Sequence, residues 1–140
     1  MVNWFYKDKE ILKHSDLDDR CTDFVYEISY EDGTKYIGKK TVRANRRVQP
    51  TKAQLAIRKN YKRVEHKDIP FARYIGSSSE NEGKTVVKKE IIFQCSNKLT
   101  AGYLEVKLLF ITGAIEHDGY NNKNISGRYF DNCLSGLLQA

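Results

Sequence analysis

With 140 residues, 40% of them apolar, and neither an apolar run approaching about 18 residues nor a charged-then-apolar leader, the chain is expected to be a soluble, intracellular protein, placed in the cytoplasm, without a membrane partner. Cys21, Cys95 and Cys133 are odd in number and far apart, which argues against a disulfide framework and a zinc ribbon, and His14, His66 and His117 lack metal-ligand spacing. The net charge of +6 is unevenly spread: Lys35 to Arg73 holds 13 Lys and Arg against Glu65 and Asp68, a local +11, while the rest carries −5, an asymmetry that points to a polyanion such as nucleic acid.

No composition shift marks a second domain, so residues 1–140 are expected to form one domain with a short aromatic N-terminal arm, residues 1–23. Trp4-Phe5-Tyr6 is too apolar to be left in water and is expected to tie the arm down, with room for a short edge strand. His14 to Asp23 is a polar connector. The stretch that organises the chain follows. Apolar and polar residues alternate from Phe24 to Tyr30, Asp32-Gly33 supplies a turn, and Lys35 to Lys40 resumes an extended pattern, which together signal a β-hairpin. Side chains at alternate positions share a strand face, so Phe24, Tyr26, Ile28 and Tyr30 point one way, and Tyr36, Gly38 and Lys40 share a face of the partner strand. A register that sets Tyr26 against Tyr36 puts two phenols beside a lysine cluster, with Gly38 leaving room for close approach.

Beyond the hairpin lie Arg43, Arg46 and Arg47, then a helix signal over Ala53 to Lys59 with Thr51 as its cap. Arg58-Lys59-Asn60-Tyr61-Lys62-Arg63 is basic with one aromatic interleaved, and Pro70 stops any helix near Lys67 to Asp68. A second Tyr-Ile-Gly, at Tyr74 to Gly76, is not an internal repeat because its surroundings do not match, and the Ser77-Ser78-Ser79 run after it reads as a turn. Lys84 to Cys95 is a third strand, rich in Val and Ile. Thr100 to Glu116 is a helix capped by Thr100, with Leu104, Leu108, Ile111 and Ile115 as its apolar stripe and Glu105 at the border of that stripe. Asp118 to Gly127 is a polar loop, and Arg128-Tyr129-Phe130 is a candidate for a last short strand.

In this order the parts resemble the GIY-YIG nuclease family. The second of its two tripeptides is intact as Tyr36-Ile37-Gly38, while the first reads Phe24-Val25-Tyr26 and keeps the tyrosine and the aliphatic centre. An arginine about ten residues on (Arg46), a third strand, a helix with Glu105 and a terminal Tyr120-Asn121-Asn122 complete the set. The aromatic opening, Tyr-Ile-Gly-Lys-Lys, the basic Arg-Lys-Asn stretch and Tyr-x-Gly-Ser-Ser are similar to the small free-standing phage-encoded, homing-endonuclease-like members, which would act in the host cytoplasm. The resemblance implies an α/β (α+β) fold, a small antiparallel sheet of two to four strands flanked by helices.

It further implies a Mg²⁺- or Mn²⁺-dependent endonuclease acting on DNA. The roles carried over are Tyr26 as general base or water-positioner, Tyr36 as a second hydrogen-bonding phenol, Arg46 as phosphate clamp, Glu105 as the sole carboxylate ligand of the metal, and Asn122, rather than the neighbouring Asn121, as support for the site. Because a phenol with an ordinary pKa near 10 is a poor base, Lys39, Lys40 and the metal are expected to lower that of Tyr26. The local charge nominates Lys39, Lys40, Arg43, Arg47, Arg58, Lys59, Lys62, Arg63 and Arg73 as DNA contacts. Without a second DNA-binding domain, specificity would come from insertions or a homodimer, or be low. The competing readings are a catalytically degenerate module of the same fold that binds nucleic acid or a host protein, and an RNA-binding module with Tyr61 and Tyr74 as stacking platforms.

Overall fold

The expected hairpin is the centre of the sheet, as β3 (Asp23–Tyr30) and β4 (Lys35–Thr41). The computed structural model describes residues 2–60, 62–76, 81–123, 125 and 134–138, and for Arg46, Arg47 and Val64 it describes the backbone alone. Tyr61, Ser77 to Ser79, Arg128 to Phe130 and Cys133 therefore lie outside the described residues. The turn between β3 and β4 forms as its residues dictate. Gly33 takes φ +86, and Asp32 accepts hydrogen bonds from the Thr34 amide and hydroxyl and from Lys84 Nζ.

Among the described residues the main sheet has six strands rather than two to four. Its order is β2 (Lys9–Ile11), β1 (Trp4–Tyr6), β7 (Val86–Cys95), β3, β4, with a two-residue strand β8 (Leu137–Leu138) on the end of β7. All pairs are antiparallel except β1 with β7. The aromatic arm thus supplies a hairpin rather than a lone edge strand. Its Lys7-Asp8 turn has positive φ at both residues, the geometry that matches the strand twist. Trp4 explains why the arm docks: its ring is buried against Phe24 and Tyr26, and its Nε1 donates to the Phe71 carbonyl at 2.9 Å.

One sheet face buries Trp4, Phe24, Tyr26, Ile28, Tyr30, Val42 and Phe71. The other buries Val25, Ile37 and Cys95 under α2 (Lys98–Thr112) through Ala101, Leu104 and Leu109. Helix α2 begins earlier than its sequence suggests. Asn97 is the cap, accepting from the Thr100 amide at 2.8 Å, while the Thr100 hydroxyl accepts from the Gly136 amide. The expected stripe holds only in part. Leu104 is buried, but Ile111 is 69% exposed, and Gly113, left-handed at φ +63, ends the helix before Ile115.

Residues 43–68 depart most from expectation. Thr51 does cap a helix, α1 (Lys52–Ile57), through a capping box with Gln54. The flanking segments, however, form a separate two-stranded ribbon, β5 (Arg43–Val48) with β6 (Arg63–Asp68). The basic stretch after α1 therefore leads into a strand, and Pro70 follows that strand rather than a helix.

Candidate active site

The register of β3 and β4 sets Tyr26 opposite Gly38, and Ile28 opposite Tyr36. The two tyrosines are thus diagonal neighbours, ring centroids 6.3 Å apart, rather than a facing pair. Gly38 is what permits this. A Cβ built there would lie 2.5 Å from the Tyr26 hydroxyl oxygen, so the Tyr26 ring occupies the space a side chain would take. A register shift in the pairing of β3 with β7 falls between Val25 and Tyr26 and marks an irregularity beside that residue. Phe24, where the family motif has glycine, is fully buried against Trp4 and Phe71 and serves the core.

Tyr26 is 1% exposed, and its hydroxyl donates to that of Tyr74 at 3.4 Å. Burial, then Tyr74, Tyr36 and the Glu105 charge, hold its pKa far above the ordinary phenol range. Half-buried Tyr36 is pushed up by burial and by Glu105. Glu105 is itself raised by burial, against which Lys39 acts. Helix α2, which carries Glu105, packs on the sheet face opposite the one that buries Tyr26, and the Glu105 charge is a small cause of the raised pKa of Tyr26 and a larger one for Tyr36.

The lysines do not lower the phenols as the sequence suggested. Lys40 places its ammonium 4.8 Å over the Tyr74 ring, and Lys39 reaches the α2 side, where its Nζ lies 3.4 Å from a Cβ built on Gly102. What remains is a cluster of phenol oxygens and the Glu105 carboxylate, on which Lys39 acts. Such hard oxygen donors suit Mg²⁺ or Mn²⁺, and among the described residues no cluster of three or more His, Cys, Asp or Glu side chains stands ready to hold a metal. The donor set fits a metal bound by Glu105 and otherwise by water and phosphate.

Asn122 and Asn121 have different tasks. The Asn122 amide accepts from Ile37 N at 3.0 Å and donates to Ile37 O at 2.7 Å, pairing with the edge of β4 as another strand would. It fixes the Tyr36-Ile37-Gly38 strand and is a positioning residue. Asn121 joins Thr34, Lys84 and buried Asn81 near the hairpin turn.

The Arg46 backbone lies in β5, paired with Glu65; its side chain, like that of Arg47, is outside the described residues. Arg58, Lys59, Lys62 and Arg73 are exposed. Arg63 donates to Glu65 at 3.0 Å. Arg43 differs from these, because its guanidinium donates to the carbonyls of His14, Asp18 and Cys21. That is a structural tie, and it removes Arg43 from the set free to meet a phosphate.

Sequence reasoning missed two residues of this region as site components. Tyr74 packs edge-on against Tyr26 with centroids 5.8 Å apart, and is a third phenol of the cluster. Lys89, 1% exposed, donates to the carbonyls of Ala72 and Tyr74 at 2.8 and 3.0 Å and lies 4.6 Å from the Trp4 ring; burial lowers its pKa to about 8. It straps the Tyr74 segment to the sheet. The second Tyr-Ile-Gly was a visible signal for Tyr74, whereas nothing in Val-Val-Lys-Lys-Glu singles out Lys89 from Lys88.

No curated protein and no solved structure matches the chain. A family model does, over residues 4–131, and its description is "Putative endonuclease segE, GIY-YIG domain". The match spans both tyrosine strands, Arg46, Glu105 and the Asn121-Asn122 pair, and so includes every element of the site built above. The chain belongs to the SegE branch of the GIY-YIG nuclease family.

Proposed function

We propose that this GIY-YIG domain is a Mg²⁺- or Mn²⁺-dependent DNA endonuclease. The observation that carries the reading is the family match over residues 4–131, with Tyr26 and Tyr36 set as diagonal neighbours on the paired motif strands and the Glu105 charge raising the pKa of both. Hydrolysis forms a bond from a water oxygen to phosphorus and breaks one from phosphorus to a sugar oxygen; the water loses a proton and the leaving oxygen gains one. Tyr26 Oη is the group assigned to orient the water or take its proton. To act as a base Tyr26 must first lose its own proton to solvent, and Tyr74 Oη at 3.4 Å can relay it only by passing its own hydroxyl proton on to water. Tyr36 donates a hydrogen bond to the phosphate, Arg46 clamps it, and Asn122 keeps the Tyr36 strand in place. Glu105 would hold the metal, which when bound would supply charge neutralisation for the phosphate.

The fitting test is nicking of supercoiled plasmid with Mg²⁺, with Mn²⁺ and with EDTA, for the wild type and for Glu105→Gln. We expect metal-dependent nicking that falls by roughly 10²–10³-fold in Glu105→Gln, the scale of losing one preorganised charge interaction in a transition state. A wild type that nicks no DNA under any of these conditions overturns the reading. One observation favours the degenerate binding module instead: Tyr26 is fully buried and strongly held in its neutral form. Metal-free DNA binding without nicking would select that alternative. The nuclease reading carries with it a phage-encoded chain at work in a host cytoplasm, in keeping with the small free-standing members that it resembles. No helix among the described residues is long and apolar enough to cross a membrane.

A further inference from the structure

We infer that the β5–β6 ribbon is a DNA-reading arm whose Asn45 and His66 side chains meet base edges in the major groove beside the cleavage site. The inference rests on the DNA nuclease reading and adds to it the origin of sequence preference.

The ribbon is built to be held at one end and to offer itself at the other. Its root is fastened to the domain by several bonds. Val42 is buried between β4 and β5, its amide donates to the Thr22 carbonyl, and its carbonyl accepts from the Ile69 amide, each at 2.8 Å. His14 Nε2 lies 3.0 and 2.9 Å from the carbonyls of Val42 and Ile69. The Arg43 guanidinium binds three further carbonyls of the N-terminal arm. Beyond this root, among the described residues, β5 and β6 pair only with each other, and α1 between them buries none of its residues. A lone two-stranded ribbon is marginal in water, and the exposed Asn45, Glu65, His66, Lys67 and Asp68 on this one suit a partner that covers them.

Charge names the partner. Residues 43–68 hold nine Lys and Arg against Glu65 and Asp68. Both acids are engaged by the arm itself, Glu65 with Arg63 at 3.0 Å and Asp68 with Arg43 at 3.8 Å. Arg58, Lys59, Lys62 and Lys67 are exposed. The surplus faces outward, as phosphate binding requires.

The register then separates the roles of the two faces. Asn45 pairs with His66 in mid-ribbon, and both are exposed. They share one face, and each can both donate to and accept from a base edge, as an amide and an imidazole do. The opposite face carries Ala44 across from Lys67 and Val48 across from Arg63. Six residues per strand make a ribbon roughly 20 Å long, and the major groove, about 12 Å wide, admits a two-stranded ribbon. Asn45 follows Tyr36 by nine residues along β4 and β5, which limits the two to roughly 30 Å. At about 3.4 Å per base pair, the bases read lie within roughly nine pairs of the cut.

The test is selection of bound sequences from a randomised duplex library without metal, for the wild type and for Asn45→Ala/His66→Ala, with cleavage mapped separately. Both residues are exposed, and circular dichroism checks that the fold survives. We expect the wild type to enrich a sequence within about nine base pairs of the mapped cut. In the double variant its affinity for that sequence should drop at least about tenfold, to the level of unrelated DNA, with the salt slope retained. A wild type without preference, a variant with the wild-type preference, or a preferred sequence far from the cut each overturns the arm. These outcomes are separable from failure of the nuclease reading, which the plasmid assay reports on its own.

Discussion

The two tyrosine strands and the β5–β6 ribbon are adjacent in sequence, joined by the single residue Val42, yet they use charge in opposite ways. Around the tyrosines each nearby lysine has a partner in the domain. Lys89 straps a loop, Lys40 covers the Tyr74 ring and Lys39 faces Glu105. The phenols of Tyr26 and Tyr36 nonetheless keep raised pKa values, because burial is the largest cause for both. On the ribbon the acids are engaged instead, and the exposed Lys and Arg are left to meet phosphate. At the site each lysine is thus matched to a partner, while the neighbouring surface has cations in excess. The contrast implies that changes in the hairpin should alter the chemical step, and changes in the arm should alter affinity and its salt dependence.

The largest effects should come from breaking the hairpin side. Gly38→Ala would set a methyl 2.5 Å from the Tyr26 hydroxyl and 2.6 Å from its ring carbon Cζ, so the ring must leave its place. We expect a stability loss of about 1–3 kcal/mol, as for other overpacked cores, and loss of nicking. Tyr26→Phe separates the two consequences, because it keeps the ring and deletes only a hydroxyl whose bond to Tyr74 is long. Its single-turnover cleavage should fall by roughly 10²–10⁴-fold, with thermal stability and metal-free DNA affinity close to wild type. Wild-type cleavage by Tyr26→Phe would remove Tyr26 from the chemistry and leave it as a core residue.

How much of this was legible in the sequence follows the range of the interactions. The β3–β4 hairpin was visible because an Asp-Gly turn and strict alternation are local, and Thr51 was recognisable as a cap because its bond spans three residues. The parallel docking of Trp4 beside Lys89 spans the chain and leaves no local trace. The ribbon was missed for a different reason. Its strands carry Arg, Asn, Lys and His where a half-buried strand would alternate apolar residues, so no period of two appears in hydrophobicity. Within the site, Glu105 was found by its place beside Leu104. The reach of Tyr74 to Tyr26, and the grip of Asn122 on both polar groups of Ile37, depend on loops folding back onto the hairpin.

On the arm side, replacing Arg58, Lys59, Lys62 and Arg63 together by Ala should weaken DNA binding and flatten its salt dependence. For every phosphate that the variant leaves unneutralised, the magnitude of the log–log slope should fall by about 0.9. Fluorescence anisotropy over a range of salt concentrations measures this, and single-turnover cleavage at saturating DNA should stay within a few-fold of wild type. An unchanged slope would move the phosphate surface off the arm.

The smallest effect is the most diagnostic for the metal, because it needs no DNA. Burial raises the pKa of Glu105 above its ordinary 4.5 in the folded protein. Between 4.5 and that raised value the folded state binds more protons than the unfolded state, so stability falls as pH rises through the window. The contribution of the neutral carboxyl is full below the unfolded value and is lost once the native carboxylate ionises. Glu105→Gln cannot ionise. Metal-free, it should therefore gain on the wild type as pH climbs from 4 to 7, and the difference should level off above the folded pKa. Adding Mg²⁺ at pH 7 should reverse the order, since a ligand at about ten times its dissociation constant stabilises by roughly 1.4 kcal/mol only the protein that binds it. Urea unfolding at pH 4, 5, 6 and 7, with EDTA and with Mg²⁺, measures both effects. Equal stabilisation of wild type and Glu105→Gln by Mg²⁺ would place the metal elsewhere, and a difference independent of pH would mean that the Glu105 carboxylate is not held at a cost by the fold.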